Sequence, residues 1–332
     1  MNKKVIFFIP YFGNLPNYFN HFLKSCEFNK EYGWIVFTDD NTPRAWPNNV
    51  LHVFMTFDEL KDKIQSKFDF EIKIKEPHKL CDFKPAYGYI FEEYLNNTNY
   101  WGHCDIDTIL GDLDFFLSDL LNLDYDKLFC LGHMEIYKNT YENNRTFMLP
   151  LNGRYLYKES FSSYKTTVFD ECGSGNDNVN DIFINYNKSI YARDYSMNCE
   201  IVSTRFVKVT YDADNDCFYK EKPKDALYIF DKGSLYRLYK DCRSNIIRED
   251  FLYLHLQLRK MKIDDKVFES NSFKILENKF ALIENQYILN KNPEDIKIKE
   301  FNSIKRHAIS FRYLKLQLKW KINKLKRIVR KK

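Results

Sequence analysis

The sequence predicts an α/β fold: one large domain on a mainly parallel sheet, with a basic amphipathic helix at the C-terminal end. Three observations predict it. Short apolar runs rich in Val, Ile and Phe alternate with segments of helical period, the pattern of βαβ units. Several of these runs end in polar clusters, as strands do where an open α/β sheet meets its ligand. The composition, 44% hydrophobic and 17% aromatic over 332 residues with few Gly and Pro, suits an ordered domain with a large core.

Residues 5–10, Val-Ile-Phe-Phe-Ile-Pro, read as a buried first strand. The run is too short for a signal peptide and has no small-residue cleavage site. The loop Tyr11 to Asn14 follows, then a helix over 18–26 with Phe19, Phe22 and Leu23 on its apolar side. A strand over 34–38 ends at Thr38, Asp39 and Asp40; a third covers 50–55, and a helix covers 57–67. Pro85 sits as a first-turn proline, opening a helix through residue 95. A strand over 100–104 comes next, and another over 128–131 leads into Gly132-His133-Met134, which is either a buried turn or part of an acceptor wall. Residues 137–188 are polar and poorly periodic, as substrate-facing loops and short helices would be. Residues 226–238 form a hairpin around Asp231-Lys232-Gly233, and 251–257 is a strand or buried segment.

The pointed motif is Asp105-Ile106-Asp107. In extended backbone alternate side chains share a face, so the two carboxylates converge past the strand end while Ile106 returns to the core. Two hard oxygen ligands there suit Mg²⁺ or Mn²⁺ shared with substrate phosphates. Asp-x-Asp triplets also occur as plain solvated turns. His255, in an apolar run before Gln257, Arg259 and Lys260, is read as a third metal ligand with anion-binding neighbours, against a core histidine satisfied by a carbonyl. Asp82 either caps the helix or faces ligand. Lys84 opposes the helix dipole unless it binds an anion such as a diphosphate; Lys79 reads as an exposed surface lysine. Asp39 either serves a ribose or base, or is a turn residue. Asp170 and Glu171, before a Gly-containing loop, are candidates for a general base or for sugar hydroxyls. No phosphate-cradling glycine loop and no G-x-S-x-G elbow is present.

The eight cysteines form no C-x-x-C pair and no zinc-like spacing with histidine, so they read as thiols of a reducing cytosol. Charge is uneven. Residues 301–332 hold 12 Lys or Arg and no Asp or Glu, which leaves the first 300 residues at −7 against the chain's +5. Phe311, Leu314, Leu318, Ile322, Leu325 and Val329 make an apolar stripe along this basic segment. It is read as lying on an anionic membrane surface, each cation contributing about 1 kcal/mol. An acidic body argues against nucleic acid.

In this order the features resemble the GT-A-type, metal-dependent, nucleotide-sugar glycosyltransferases, most of all a group from bacterial capsule and O-antigen clusters. The resemblance covers residues 1–262 and is carried by Lys79 to Pro85 and His103 to Asp107. It implies that Asp105 and Asp107 hold Mn²⁺ or Mg²⁺ against the donor diphosphate and that His255 completes the shell. Tyr11, Asn14, Thr38 and Asp39 would face the nucleoside, and Asp82 and Lys84 the sugar and phosphates. One departure is that Asp82 is followed by Phe83-Lys84-Pro85, not the Asp-x-x-Arg-Tyr usual in related sugar transferases, so that Lys84 would substitute for that arginine. The implied organisation is a catalytic domain over 1–262, with a nucleotide-sugar half to 115 and an acceptor half from 116, then a helical extension over 263–300 and the basic helix over 301–332. The implied partners are a UDP- or GDP-linked donor and a lipid-linked saccharide acceptor at the inner face of a bacterial membrane. A nucleotidyl- or phosphotransferase, and a basic-tailed binding protein without activity, are the competing readings.

Overall fold

The computed structural model describes residues 3–201, 205–257, 259–283 and 318. Its centre is a seven-stranded sheet in the order β3-β2-β1-β4-β7-β6-β8. The strands are β1 (Val5–Pro10), β2 (Gly33–Thr38), β3 (Val50–Phe54), β4 (Tyr100–Cys104), β6 (Lys127–Leu131), β7 (Met134–Lys138) and β8 (Ile190–Tyr191); the short β5 (Thr108–Leu110) lies outside it. β3, β2, β1 and β4 run parallel, whereas β7 is antiparallel to both β4 and β6. The parallel core is apolar throughout because both faces are covered. Val5, Phe7 and Ile9 pack on one side with α1 (Phe19–Phe28), while Ile6 and Phe8 pack on the other against Phe37, Phe91 and Trp101.

Strand order reverses direction between β1 and β4, so their carboxyl ends flank a crevice, the place where open α/β sheets bind ligands. β4 pairs with β7, so the boundary drawn at 115/116 falls inside one sheet. The helix expected from Pro85 to residue 95 is broken instead. Pro85 lies inside a run of tight turns, Pro77–Ala86, and only Tyr87–Ile90 is α-helical before another tight turn, Glu92–Tyr94. Proline has no N–H for an interior helical bond. Gly88 also lies under the Trp101 indole, so close that a Cβ would sit 2.2 Å from the ring.

Three smaller sheets complete the chain. The strands are β9 (Met197–Asn198), β10 (Val209–Asp212), β11 (Cys217–Lys220), β12 (Ala226–Asp231), β13 (Ser234–Lys240), β14 (Ile246–Asp250), β15 (Tyr253–His255), β16 (Ser272–Leu276) and β17 (Lys279–Leu282). The expected hairpin is β12–β13, within an antiparallel five-stranded sheet, β14-β13-β12-β16-β17. Of the helical extension expected over 263–300, residues 263–283 instead hold a short helix, Asp265–Glu269, followed by β16 and β17, and residues 284–300 lie outside the described residues. Phe273 and Ile275 recur with the period of a strand in β16, and together with Phe280 of β17 they are buried in one cluster with Tyr228 and Phe230. The basic amphipathic helix over 301–332 lies outside the described residues, apart from Leu318. Among the described residues no helix is long and apolar enough to cross a membrane.

Candidate metal and sugar-phosphate site

β4 ends at Cys104, and the next residues turn out of the sheet under tight backbone control. Asp105 N donates to the His133 carbonyl at 3.0 Å, Leu256 N donates to the Asp107 carbonyl at 2.8 Å, and the Thr108 hydroxyl donates to the Asp105 carbonyl at 2.7 Å. Ile106 is buried, as the alternation requires. His255 reaches the pair through the three-stranded sheet β5-β15-β9. There β15 is antiparallel to β5 and parallel to β9, which sets His255 beside Thr108 and Asn198. His255 Nε2 lies 3.2 Å from Asp107 Oδ1 and 4.0 Å from Asp105 Oδ2. One ligand atom from each of the three falls within 4.8 Å of the others.

The donor set, two carboxylates and an imidazole, fits a hard divalent cation. Its orientation fits as well. His255 Nδ1 faces Asn198 Oδ1 at 3.2 Å, and Gln257 Nε2 donates to that same oxygen at 2.8 Å. A histidine that donates from one ring nitrogen presents the other as a lone pair. Burial works against a charged His255, but the Asp107 and Asp105 carboxylates outweigh it and raise its pKa.

Lys84 stands beside this group. Its ammonium donates to Asp105 Oδ1 at 2.7 Å and to the Gly132 carbonyl at 2.6 Å, and it lies 3.9 Å from Asp170 Oδ2. Burial alone would lower its pKa; Asp105 and Asp170 hold it well above its usual value. Asp170 is buried, and burial pushes its carboxyl well up, with Lys84 opposing and Glu171 adding to the rise. Glu171 is half-buried. Its pKa is raised by burial and opposed by the Gly132 N–H, which donates to Oε2 at 3.1 Å, and by Lys84.

All these groups open on one cleft of about 1420 Å³. Asp105, Asp107, His255, Lys84, Asp170, Glu171 and Tyr11 line it together. Tyr11 continues from β1 at the strand reversal, and its pKa is raised by burial and by Asp107 and Asp105. The other expected residues sit elsewhere. Asn14 is exposed outside the cleft lining, and its carbonyl accepts the Tyr11 hydroxyl at 3.2 Å. Thr38 is fully buried, and Asp39 accepts Gly13 N–H at 2.9 Å, so it tethers the loop after β1. Gly13 has φ +91°, a backbone that favours glycine.

Asp82 is neither a cap nor a cleft residue. It is fully buried and accepts Lys79 Nζ at 2.6 Å, Thr167 N at 2.9 Å and Phe169 N at 3.1 Å. Lys79, expected on the surface, is 2% exposed and also donates to the carbonyls of Ser160 and Lys165. The pair fastens the segment that ends in Asp170. Cys81, Asp82 and Asp170 also cluster, but Asp82 is taken up by these donors and burial raises the Cys81 thiol pKa, so the trio fits packing rather than an ion. Arg259 is buried, and its guanidinium donates to the carbonyls of Leu256, Glu200 and Arg205; Lys260 is exposed, and neither lines the cleft. Their backbone follows β15 away from the crevice.

Sequence reasoning passed over Asn198, Phe218 and Lys220, all of which line the cleft. No local motif marks them, since strand register alone brings them there. Next to the cleft lies a buried charged group, of which His103 belongs to the lining. Lys127 Nζ donates to Glu135 Oε1 and to Asn180 Oδ1, both at 2.6 Å, and His103 Nε2 lies 3.3 Å from Glu135 Oε2. His103 is thus a residue of β4, two positions before Asp105.

Residues 7–284 match the DUF6625 family, described as a family of unknown function. No curated protein matches the chain. Among solved structures, the galactosyltransferase LgtC in complex with donor and acceptor sugar analogs is similar at 9% identity and a TM-score of 0.34, over 59% of this chain and 74% of that one.

Proposed function

We propose that this chain, which belongs to the DUF6625 family, transfers a sugar from a nucleotide-diphosphate sugar to a saccharide acceptor with the help of a divalent cation. The observation that carries the reading is the convergence of Asp105, Asp107 and His255 within 4.8 Å at the mouth of the β1–β4 crevice. Those three residues would hold Mn²⁺ or Mg²⁺. When bound, the ion supplies positive charge against the diphosphate as it leaves the sugar.

The remaining work falls to the chain's own groups. Tyr11 and the end of β1 form the nucleoside side of the cleft. The Lys84 ammonium, held charged, faces the diphosphate and donor sugar and adds a second cation there. For displacement with inversion, the acceptor hydroxyl oxygen bonds to the anomeric carbon as the bond from that carbon to the diphosphate oxygen breaks. The hydroxyl proton passes to Glu171, which reaches the cleft more openly than Asp170. Asp170 serves in the protonated form that its burial favours. The acceptor in this reading is a lipid-linked surface polysaccharide of a bacterial capsule or O-antigen. Residues 301–332 would keep the enzyme at the cytoplasmic face of the membrane, a proposal that rests on their charge and apolar period.

The test is a screen of UDP- and GDP-sugars with Mn²⁺ and Mg²⁺, reading released nucleoside diphosphate and, by titration calorimetry, bound Mn²⁺. Asp105→Ala and Asp107→Ala should each weaken Mn²⁺ binding by at least about 100-fold, since losing a group that only orients a ligand already costs about 10- to 100-fold. Transfer retained in both variants would overturn the metal assignment. Pyrophosphate in place of nucleoside diphosphate would mark nucleotidyl transfer instead.

A further inference from the structure

One part of the cleft wall is built by the ribbon β10–β11, a two-stranded sheet of its own. It is pinned beside β9 by the Cys199–Lys208 bridge and by Glu200 N donating to the Val207 carbonyl at 2.9 Å. Its side chains Val209, Phe218 and Lys220 line the cleft together with Gly173 and Glu200.

Phe218 is the anomaly. It is 43% exposed on the cleft wall beside charged Lys220 and Glu200, although burying such a ring would stabilise the fold by about 1.5–3 kcal/mol. The ring is nonetheless held in place. It sits 5.2 Å from the Tyr211 ring, and it lies on the Gly173 backbone so closely that a Cβ there would come within 2.3 Å. Gly173 also has φ +77°, so a glycine serves both the turn and the close approach. It follows Glu171 by only two positions. A part-open aromatic ring thus lies on backbone two residues past the proposed proton acceptor, and the Lys220–Glu200 ion pair lines the same cleft.

We infer that Phe218 is the platform of an acceptor subsite that takes a pyranose ring. The face of an aromatic ring carries negative potential, which matches the weakly positive C–H face of a sugar. The sugar's hydroxyls would then meet Glu171 on one side and Glu200 or Lys220 on the other. This inference rests on the glycosyl-transfer reading and names the acceptor side of the same site.

The experiment uses the full chain with Mn²⁺ and UDP or GDP, each tested, and a panel of methyl pyranosides read by saturation-transfer NMR. Phe218→Ala should weaken pyranoside binding by about threefold to tenfold, the range that an aromatic contact supplies. It should leave binding of the nucleotide with Mn²⁺ within about twofold, which also shows that the variant is folded. Phe218→Trp should keep pyranoside binding, and Gly173→Ala should lose it as Phe218→Ala does, because the added Cβ displaces the ring. Unchanged pyranoside affinity in Phe218→Ala would overturn the subsite. So would the absence of pyranoside binding to a wild-type chain that binds nucleotide and Mn²⁺. Failure to bind nucleotide with Mn²⁺ at all would instead strike the glycosyl-transfer reading on which the subsite rests.

Discussion

Replacing Asp82 with alanine separates a supporting role from a ligand-facing one. The carboxylate is fully buried and accepts from Lys79 Nζ, Thr167 N and Phe169 N at 2.6, 2.9 and 3.1 Å. Its removal leaves the Lys79 ammonium, 2% exposed, with only the Ser160 and Lys165 carbonyls. Breaking a buried ion pair from one side costs about 3–5 kcal/mol, because the surviving charge stays out of water. Two buried N–H groups also lose their acceptor, at about 1–3 kcal/mol for each if it finds no other partner, so the upper part of that range is expected. With a urea m-value of about 3 kcal/mol/M, the unfolding midpoint should fall by about 1–2 M. Tryptophan fluorescence in a urea titration reads this. Asp82→Asn keeps an acceptor oxygen and should fall between the two, and the double change Lys79→Met with Asp82→Leu should recover most of the loss. Transfer should fall too, since residues 167–169 lead directly into Asp170. An unchanged midpoint together with lost nucleotide-sugar binding would refute the reasoning, for then Asp82 meets the ligand.

Two further outcomes follow from the same geometry. Burial holds the Asp170 carboxyl well above its ordinary value, with Lys84 opposing and Glu171 adding. A raised folded-state pKa gives stability that is fully present below the unfolded value of about 3.9 and is lost as pH rises through the folded value. Asp170→Asn stays neutral, so its Tm advantage over the wild type should widen as pH rises above the unfolded value of about 3.9; a pH-independent difference would contradict this. Asn198→Ala removes the acceptor facing His255 Nδ1 at 3.2 Å and should weaken Mn²⁺ binding by about 10- to 100-fold in calorimetry, with the fold unchanged by circular dichroism. Wild-type Mn²⁺ affinity in that variant would show that Asn198 does not orient the histidine.

The sequence was most legible where the physics is local. Val5 to Pro10 reads as a two-sided strand because its whole run is apolar, and Asp105-Ile106-Asp107 is marked by two carboxylates at the end of an apolar strand, although a bend beyond β4, not strand alternation, carries them. The Asp82 and Lys79 roles were illegible for the opposite reason. Their i, i+3 spacing looks like a helix start, and only the distant segment 160–169, folded over them, supplies the remaining partners. Arg259 misled in the same way, since cations after a strand serve equally to bind anions or to close backbone carbonyls. The first strand after residue 263, β16, alternates in Phe273 and Ile275, yet its partner strand, β12, lies far upstream. His255 drew notice as a titratable residue in an apolar run, but its place beside Asp107 depends on a register that no single segment contains.

That register has a consequence for the order in which the molecule is made. Side chains alternate along β15, so a slip of one residue would turn His255 away and offer Leu254 to the carboxylates. A growing chain cannot own the three-ligand set until residues past 255 have left the ribosome and β15 has settled between β5 and β9. Such distant pairings are among the slow events of folding. A divalent cation that binds only the registered form adds about 2.7 kcal/mol at a concentration 100 times its Kd. The ion would therefore act first as a late latch on newly made protein, rewarding copies whose β15 has docked correctly.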